Sequence, residues 1–232
     1  GTSVLKLFDL TAASTGLNEK QARAAGVAYD KVVTYSASHA SYYPGARNMT
    51  VKTLFDPASG RILGAQIVGF DGVDKRMDVL AAAIRAGLTA EQLTELDLAY
   101  APPYGSAKDP VNMAGYVIEN VRAGLVEQHH WDVVAELPAD GSVILLDVRT
   151  PGEVRKQGLL RSDALHIPLD ELRGRLGELD KGKKVYVNCY SGLRSYLACR
   201  ILSQHGFRCS NLSGGWRFWS YNATDRTHDA AP

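Results

Sequence analysis

The chain is poor in cysteine: it has three, Cys189, Cys199 and Cys209, all in its last quarter and none at metal-ligand spacing. An odd number argues against a disulfide scaffold, no metal is expected, and a reducing cytoplasm suits this thiol usage. No apolar run approaches the roughly 18 residues of a membrane helix, and the start carries no signal-peptide pattern, so neither insertion nor secretion is expected. Charge of one sign is also missing. With 26 Lys+Arg against 25 Asp+Glu the net charge is +1, which gives no long-range attraction for nucleic acid or an anionic membrane. There is no G-x-G-x-x-G after a strand, and so no dinucleotide fold for flavin or nicotinamide. By itself the chain is expected to bind no such cofactor and not to oxidise NADH. What remains, 232 residues of which 45% are hydrophobic and 22% charged, has the composition of an ordinary soluble protein with room for two domains.

The pattern changes near residue 128, which divides the chain into 1–128 and 129–232. In the first half "SVLKLF" (3–8) reads as a strand, "NEKQARAAG" (18–26) as a short helix and "DKVVTYSA" (30–37) as a strand. "MTVKTLFDPASGRILGAQIVG" then sets two period-2 runs around Asp56-Pro57-Ala58-Ser59-Gly60, a β-hairpin signal in which proline and glycine supply the turn dihedrals. A helix follows over 72–88, with Val73, Met77, Val79, Leu80, Ala83 and Ile84 at helical spacing and Gly87 as its stop. Lys75 and Arg76 at its start read as solvated charge. A further helix over 109–124 has Asp109 as N-cap and Pro110 at the first helical position. This half is expected to be α+β with an antiparallel sheet.

The second half alternates short apolar strands with helices: a helix at "WDVVAEL", strands "SVILLDV", "ALHI", "KVYVN" and "CSNLSGG", and helices "LDELRGRLGEL" and "RSYLACRILSQHG". That rhythm predicts an α/β domain with a parallel sheet, whose reactive site lies at the carboxyl ends of the strands. Cys189 stands at such an end. Tyr190, Ser191, Gly192, Leu193, Arg194 and Ser195 lead from it into the helix. Backbone amides between strand and helix lack ladder partners and can converge on one point, backed by the helix dipole and closed by the Arg194 guanidinium, as an anion cradle. Such a cradle favours thiolate over thiol at Cys189. Cys199, on a helix face, and Cys209, in a strand, read as small apolar fillers.

From about Trp131 to Tyr221, "LLDVRTPGEV", "CYSGLRS" and "NLSGGWRFW" in that order resemble a rhodanese domain. The resemblance implies that Cys189 takes sulfane sulfur from a donor, holds it as a persulfide and passes it to a thiol acceptor, with Asp147 and Arg149 fixing the loop and its charge; the plainer alternative for that pair is a surface ion pair. Where the family has Gly-His-Ile-Pro-Gly-Ala, this chain has "GLLRSDA" from Gly158 to Ala164, which puts that loop's shape in question but not the cysteine. Cysteine phosphatases are the competing enzyme class. They place five residues between thiolate and arginine, whereas four, Tyr190 to Leu193, stand here, a ring better suited to one sulfur atom than to phosphate.

Residues 1 to about 126, through "GTSVLKLFDLTAASTGL", "HASYYPGA", "GVDKRMDV" and "LAYAPPYGSAKDPVNMAGY", resemble the carboxyl-terminal dimerisation domain of flavin-dependent pyridine nucleotide-disulfide oxidoreductases, in the branch of coenzyme A-disulfide reductases, NADH oxidases and persulfide reductases. The resemblance implies a fragment of a longer homodimeric enzyme that uses FAD, NAD(P)H and coenzyme A, and the redox cysteine near the amino terminus of such reductases has no counterpart here. It also implies that a tyrosine from each of two motifs assists chemistry at the disulfide or persulfide of coenzyme A. These fall on Tyr42 and Tyr100, with Tyr43 and Tyr104 close enough to leave each choice open; packing at an apolar dimer interface is the alternative for all four. For the whole chain, the non-enzymatic alternative is that both domains only assemble the parent enzyme.

Overall fold

The structure, a computed structural model, describes residues 1 to 229, with side chains through 223; the expected end of the second domain at 232 lies outside the described residues. The backbone separates into two compact units, Gly1–Ala123 and the chain from Gly124 onward.

The hairpin organises the first unit. β4 (Asn48–Phe55) and β5 (Ile62–Gly69) pair antiparallel around the Asp56 turn. Asp56 Oδ1 accepts from the Ala58 and Ser59 amides at 2.8 and 3.2 Å, and Gly60 takes the left-handed φ of 76° that the turn requires. β3 (Asp30–Ala37) adds to β4, while β2 (Leu10–Gly16) and β1 (Thr2–Leu7) add beyond β5, giving an antiparallel sheet in the order β1-β2-β5-β4-β3. β2 is a strand that the sequence did not announce, because "LTAASTG" lacks the bulky alternation that marks one. Helices α2 (Val73–Ala86) and α4 (Pro110–Arg122) bury Met77, Leu80, Val111 and Ile118 against Val32, Met49, Val51, Phe55 and Ile67 of the sheet. Short helices α1 (Glu19–Ala24) and α3 (Ala90–Thr94) each begin on a capping box. Asp109 caps α4 as the sequence suggests, accepting from the Val111 amide at 3.0 Å.

One reading of the first unit is overturned. Lys75 is solvated, but Arg76 is 2% exposed and forms a buried ion pair with Asp109, Nη2 to Oδ2 at 2.9 Å. Its other donors reach the carbonyls of Ser38 at 2.9 Å and Gly72 at 3.2 Å. A charge can be buried only when its hydrogen bonds are met in this way.

The second unit runs β6 (Glu127–His129), a 3-10 turn at Trp131–Glu136, β7 (Val143–Asp147), α5 (Pro151–Gln157), β8 (Leu165–His166), α6 (Leu169–Leu172), β9 (Lys184–Asn188), α7 (Leu193–Gln204), β10 (Cys209–Leu212) and α8 (Gly215–Asp229). Its five strands are all parallel, in the order β6-β10-β9-β7-β8, with β9 at the centre. The helix expected at "LDELRGRLGEL" is shorter: α6 ends just before Gly174, and a separate 3-10 turn at Leu176–Glu178 follows. Among the described residues no helix is long and apolar enough to cross a membrane, and no group of three or more His, Cys, Asp or Glu side chains could hold a metal ion.

Candidate active site

β9 ends at Asn188, so Cys189 leaves the centre of the parallel sheet at its carboxyl edge and is fully buried there. Gly192, at φ 99° a conformation that side chains disfavour, turns the chain into α7. The turn brings two donors onto one sulfur. The Gly192 amide lies 3.1 Å from Cys189 Sγ and the Ser195 hydroxyl 3.2 Å from it. Ser195 Oγ is also 3.2 Å from the Gly192 carbonyl, and its single proton goes to whichever acceptor carries more negative charge. Charge on the sulfur therefore draws both donors inward at the amino end of α7.

The outer side of the loop is held by α8. The amides of Trp216 and Arg217 donate to the carbonyls of Cys189 and Tyr190 at 2.8 and 2.9 Å. With those carbonyls turned outward to α8, the loop is free to aim an amide at the sulfur. Gly215 makes the approach possible: a Cβ there would stand 2.6 Å from the Cys189 carbonyl and 2.8 Å from the Gly192 and Ser191 nitrogens. Tyr190 stacks on Trp216 with ring centroids 6.1 Å apart.

Arg194 does not face the loop alone. Glu153 grips its guanidinium through two bonds of 2.7 and 2.6 Å, so the expected positive charge is a nearly neutral pair. Those bonds hold the Glu153 carboxyl down to about 2, and Glu153 with the nearby Cys189 and Asp147 charges pushes the Arg194 guanidinium up. Glu153 went unnoticed in the sequence, although the signal was present as Thr150-x-x-Glu153, a capping box that α5 uses.

Asp147 and Arg149 are no surface pair. Both are fully buried at the end of β7, with Arg149 Nη2 2.6 Å from Asp147 Oδ2 and 2.6 Å from the Gly158 carbonyl, and the guanidinium carbon 5.2 Å from the Trp216 ring centre. Arg149 thus ties β7, the start of the divergent "GLLRSDA" segment and Trp216 together. That segment is fixed in place of the missing His and Pro by Arg161, which pairs with Asp163 at 2.6 Å and donates to the Leu137 carbonyl at 2.6 Å.

In the first unit the two tyrosine loops meet. The Ala40 amide donates to the Pro102 carbonyl at 3.2 Å, and the hydroxyls of Tyr42 and Tyr100 lie 3.3 Å apart on exposed side chains. The bond to Tyr42 pushes the Tyr100 phenol up. Tyr43 instead packs edge-on against His39, whose Nε2 donates to the Pro44 carbonyl at 3.1 Å, and Tyr104 stands exposed without joining the pair.

Residues 2–110 match the pyridine nucleotide-disulphide oxidoreductase dimerisation domain, and residues 130–222 match the rhodanese-like domain. The chain joins these two domains. It is 46% identical over 116 residues to a coenzyme A disulfide reductase of Staphylococcus haemolyticus, a match covering 50% of this chain and 26% of that protein. The solved structure of reduced Bacillus anthracis CoADR-RHD is similar over 97% of this chain and 40% of its own, at 45% identity and a TM-score of 0.93. A NAD-dependent persulfide reductase from A. fulgidus is similar over 94% of this chain and 39% of its own, at 42% identity and a TM-score of 0.82. The chain spans about a quarter of the length of the curated relatives it matches.

The strand-to-helix loops of the rhodanese-like domain contain 148–150, 189–192 and 213–214, none of them a G-x-G-x-x-G.

Two tests arise from the rhodanese-like site. Glu153→Gln should cost about 1 kcal/mol or less at pH 7, because the Arg194 pair is partly solvated. The sign follows from the lowered carboxyl: the stabilisation is complete above the unfolded value of 4.5 and disappears as pH falls through about 2. Urea midpoints of the two proteins should differ at pH 7 and converge below pH 2. Gly215→Ala puts a side chain at φ 60° and into the loop backbone. It is expected to displace the Cys189 loop and change the rate of Cys189 alkylation by iodoacetamide at least tenfold while circular dichroism stays native.

Proposed function

We propose that the rhodanese-like domain carries sulfane sulfur on Cys189. The observation that supports this best is the convergence of the Gly192 amide and Ser195 hydroxyl on a buried sulfur at a helix amino terminus. In the first step the Cys189 thiolate attacks the outer sulfur of a donor such as thiosulfate. The donor's S–S bond breaks, sulfite leaves with the electron pair, and Cys189 becomes a persulfide. In the second step an acceptor thiolate attacks the terminal sulfur, takes it as a new persulfide and restores the Cys189 thiolate. The same donors stabilise the charge that appears on sulfur at each stage. Full burial of Cys189 admits a narrow terminal atom more readily than a tetrahedral phosphate.

In a longer protein the sulfur would pass to the thiolate of coenzyme A or another small thiol, and the persulfide so formed would be the species reduced with NAD(P)H through FAD in a homodimer. Tyr42 and Tyr100 would donate there to the departing thiolate, since paired phenols can share a proton as charge moves. Mass spectrometry after thiosulfate treatment tests the reading. One added sulfur is expected on the peptide containing Cys189, and hydrolysis of a chromogenic phosphate ester without sulfur uptake would replace this function by the phosphatase one.

A further inference from the structure

Sulfur transfer at Cys189 does not itself require a carboxylate, yet Glu153 places one beside the loop that carries it. The side chain leaves the first turn of α5 and meets Arg194 in the first turn of α7, one residue before Ser195. Arg194 is 31% exposed and Glu153 27%, whereas the Cys189 sulfur they flank is buried. A donor approaching that sulfur from solvent therefore meets the ion pair on the way in.

The carboxylate is firmly held. Its oxygens accept from Arg194 Nη1 at 2.7 Å and Nη2 at 2.6 Å, and Oε2 also accepts from the Thr150 amide at 2.9 Å and the Thr150 hydroxyl at 2.8 Å. Thr150 directly follows the buried Arg149, so the carboxylate is fastened to the rigid end of β7 as well as to α7. An incoming anion cannot displace it without breaking charge-assisted bonds to two elements. Such an anion is attracted by the guanidinium and repelled by the fixed carboxylate, and the repulsion grows with each negative charge it brings.

We propose that Glu153 is a specificity-determining residue of the Cys189 site: acting through Arg194, it disfavours sulfane-sulfur donors that carry two negative charges and favours those that carry one. This rests on the persulfide reading of Cys189. Selection of this kind needs a repulsive group as well as an attractive one, and the pair supplies both. The bond changes are the same for either donor. The Cys189 thiolate attacks the outer sulfur, the donor's S–S bond breaks, and the leaving group departs with the electron pair, as sulfite from thiosulfate or as a sulfinate from an organic thiosulfonate.

Thiosulfate and methanethiosulfonate are similar in shape and one charge apart, because a methyl group replaces an oxyanion in the second. The test measures kcat/KM for each, with cyanide as the common acceptor, in the full chain and its Glu153→Gln and Arg194→Gln variants. Glutamine serves at the third position of a capping box as glutamate does, so the start of α5 is kept. The thiosulfate-to-methanethiosulfonate ratio of kcat/KM should rise about fivefold or more in Glu153→Gln and fall by a similar factor in Arg194→Gln, which leaves the carboxylate unmatched. The change should lie in KM rather than kcat, since the charge acts on the bound donor and the transition state alike. A purely structural role for Glu153 would move both donors together. An unchanged ratio in Glu153→Gln, with one added sulfur still found on Cys189 from each donor, overturns the assignment. Absence of added sulfur on Cys189 with both donors would instead overturn the persulfide reading, and this assignment with it.

Discussion

Cys189→Ser should reduce thiosulfate sulfurtransferase activity by roughly three orders of magnitude or more, the scale on which removal of a nucleophile acts. The replacement keeps the shape of the side chain and offers an oxygen to the same donors, the Gly192 amide and the Ser195 hydroxyl. The loop also keeps its outer staples from Trp216 and Arg217. An alcohol is nevertheless a far weaker acid than a thiol and cannot hold sulfane sulfur as a persulfide, so the loss falls on chemistry rather than folding. The thiosulfate-to-cyanide assay reads the rate, and mass spectrometry reads the missing sulfur. Cys199 and Cys209 remain in this variant, so retained activity would move the transfer reaction away from Cys189.

How far that site could be read in advance depended on distance along the chain. Cys189, Gly192 and Ser195 are neighbours in sequence, and strand-end position together with a glycine before a helix conveys most of their arrangement. Glu153 stands 41 residues from Arg194 and Asp109 stands 33 from Arg76, and in each case the sequence displays only a charge near a helix start. Local pattern does not separate a solvated charge from one buried on a distant partner, which is why Arg76 was misread and Glu153 missed. The strands follow the same logic. The hairpin around Asp56 is announced by period and turn chemistry, whereas β2 is built from small residues and owes its conformation to pairing with β1 and β5. In 169–179 the leucine spacing by itself continues a helix, whereas Gly174 marks where α6 has ended.

Arg76→Leu should destabilise the dimerisation domain by about 3–5 kcal/mol, the cost of leaving a buried charge without its partner. Asp109 would then be 4% exposed with no guanidinium opposite, and the Ser38 and Gly72 carbonyls would each lose a donor. Replacing Asp109 as well removes the stranded charge, so the double variant Arg76→Leu/Asp109→Leu should recover part of that loss. It should not recover all of it, because Asp109 also caps α4, which is worth about 1 kcal/mol. Urea unfolding separates the domains, since the three tryptophans, Trp131, Trp216 and Trp219, all lie in the rhodanese-like one. The early transition should therefore appear in far-ultraviolet circular dichroism without a change in tryptophan emission. Equal stability of the single and double variants would mean that the pair is solvated in solution. The Arg76 bond to Ser38 begins the loop that carries Tyr42, and Asp109 ends the segment that carries Tyr100. A shift of the tyrosine near-ultraviolet spectrum at urea concentrations below the transition would then report that the buried pair holds the two phenols together.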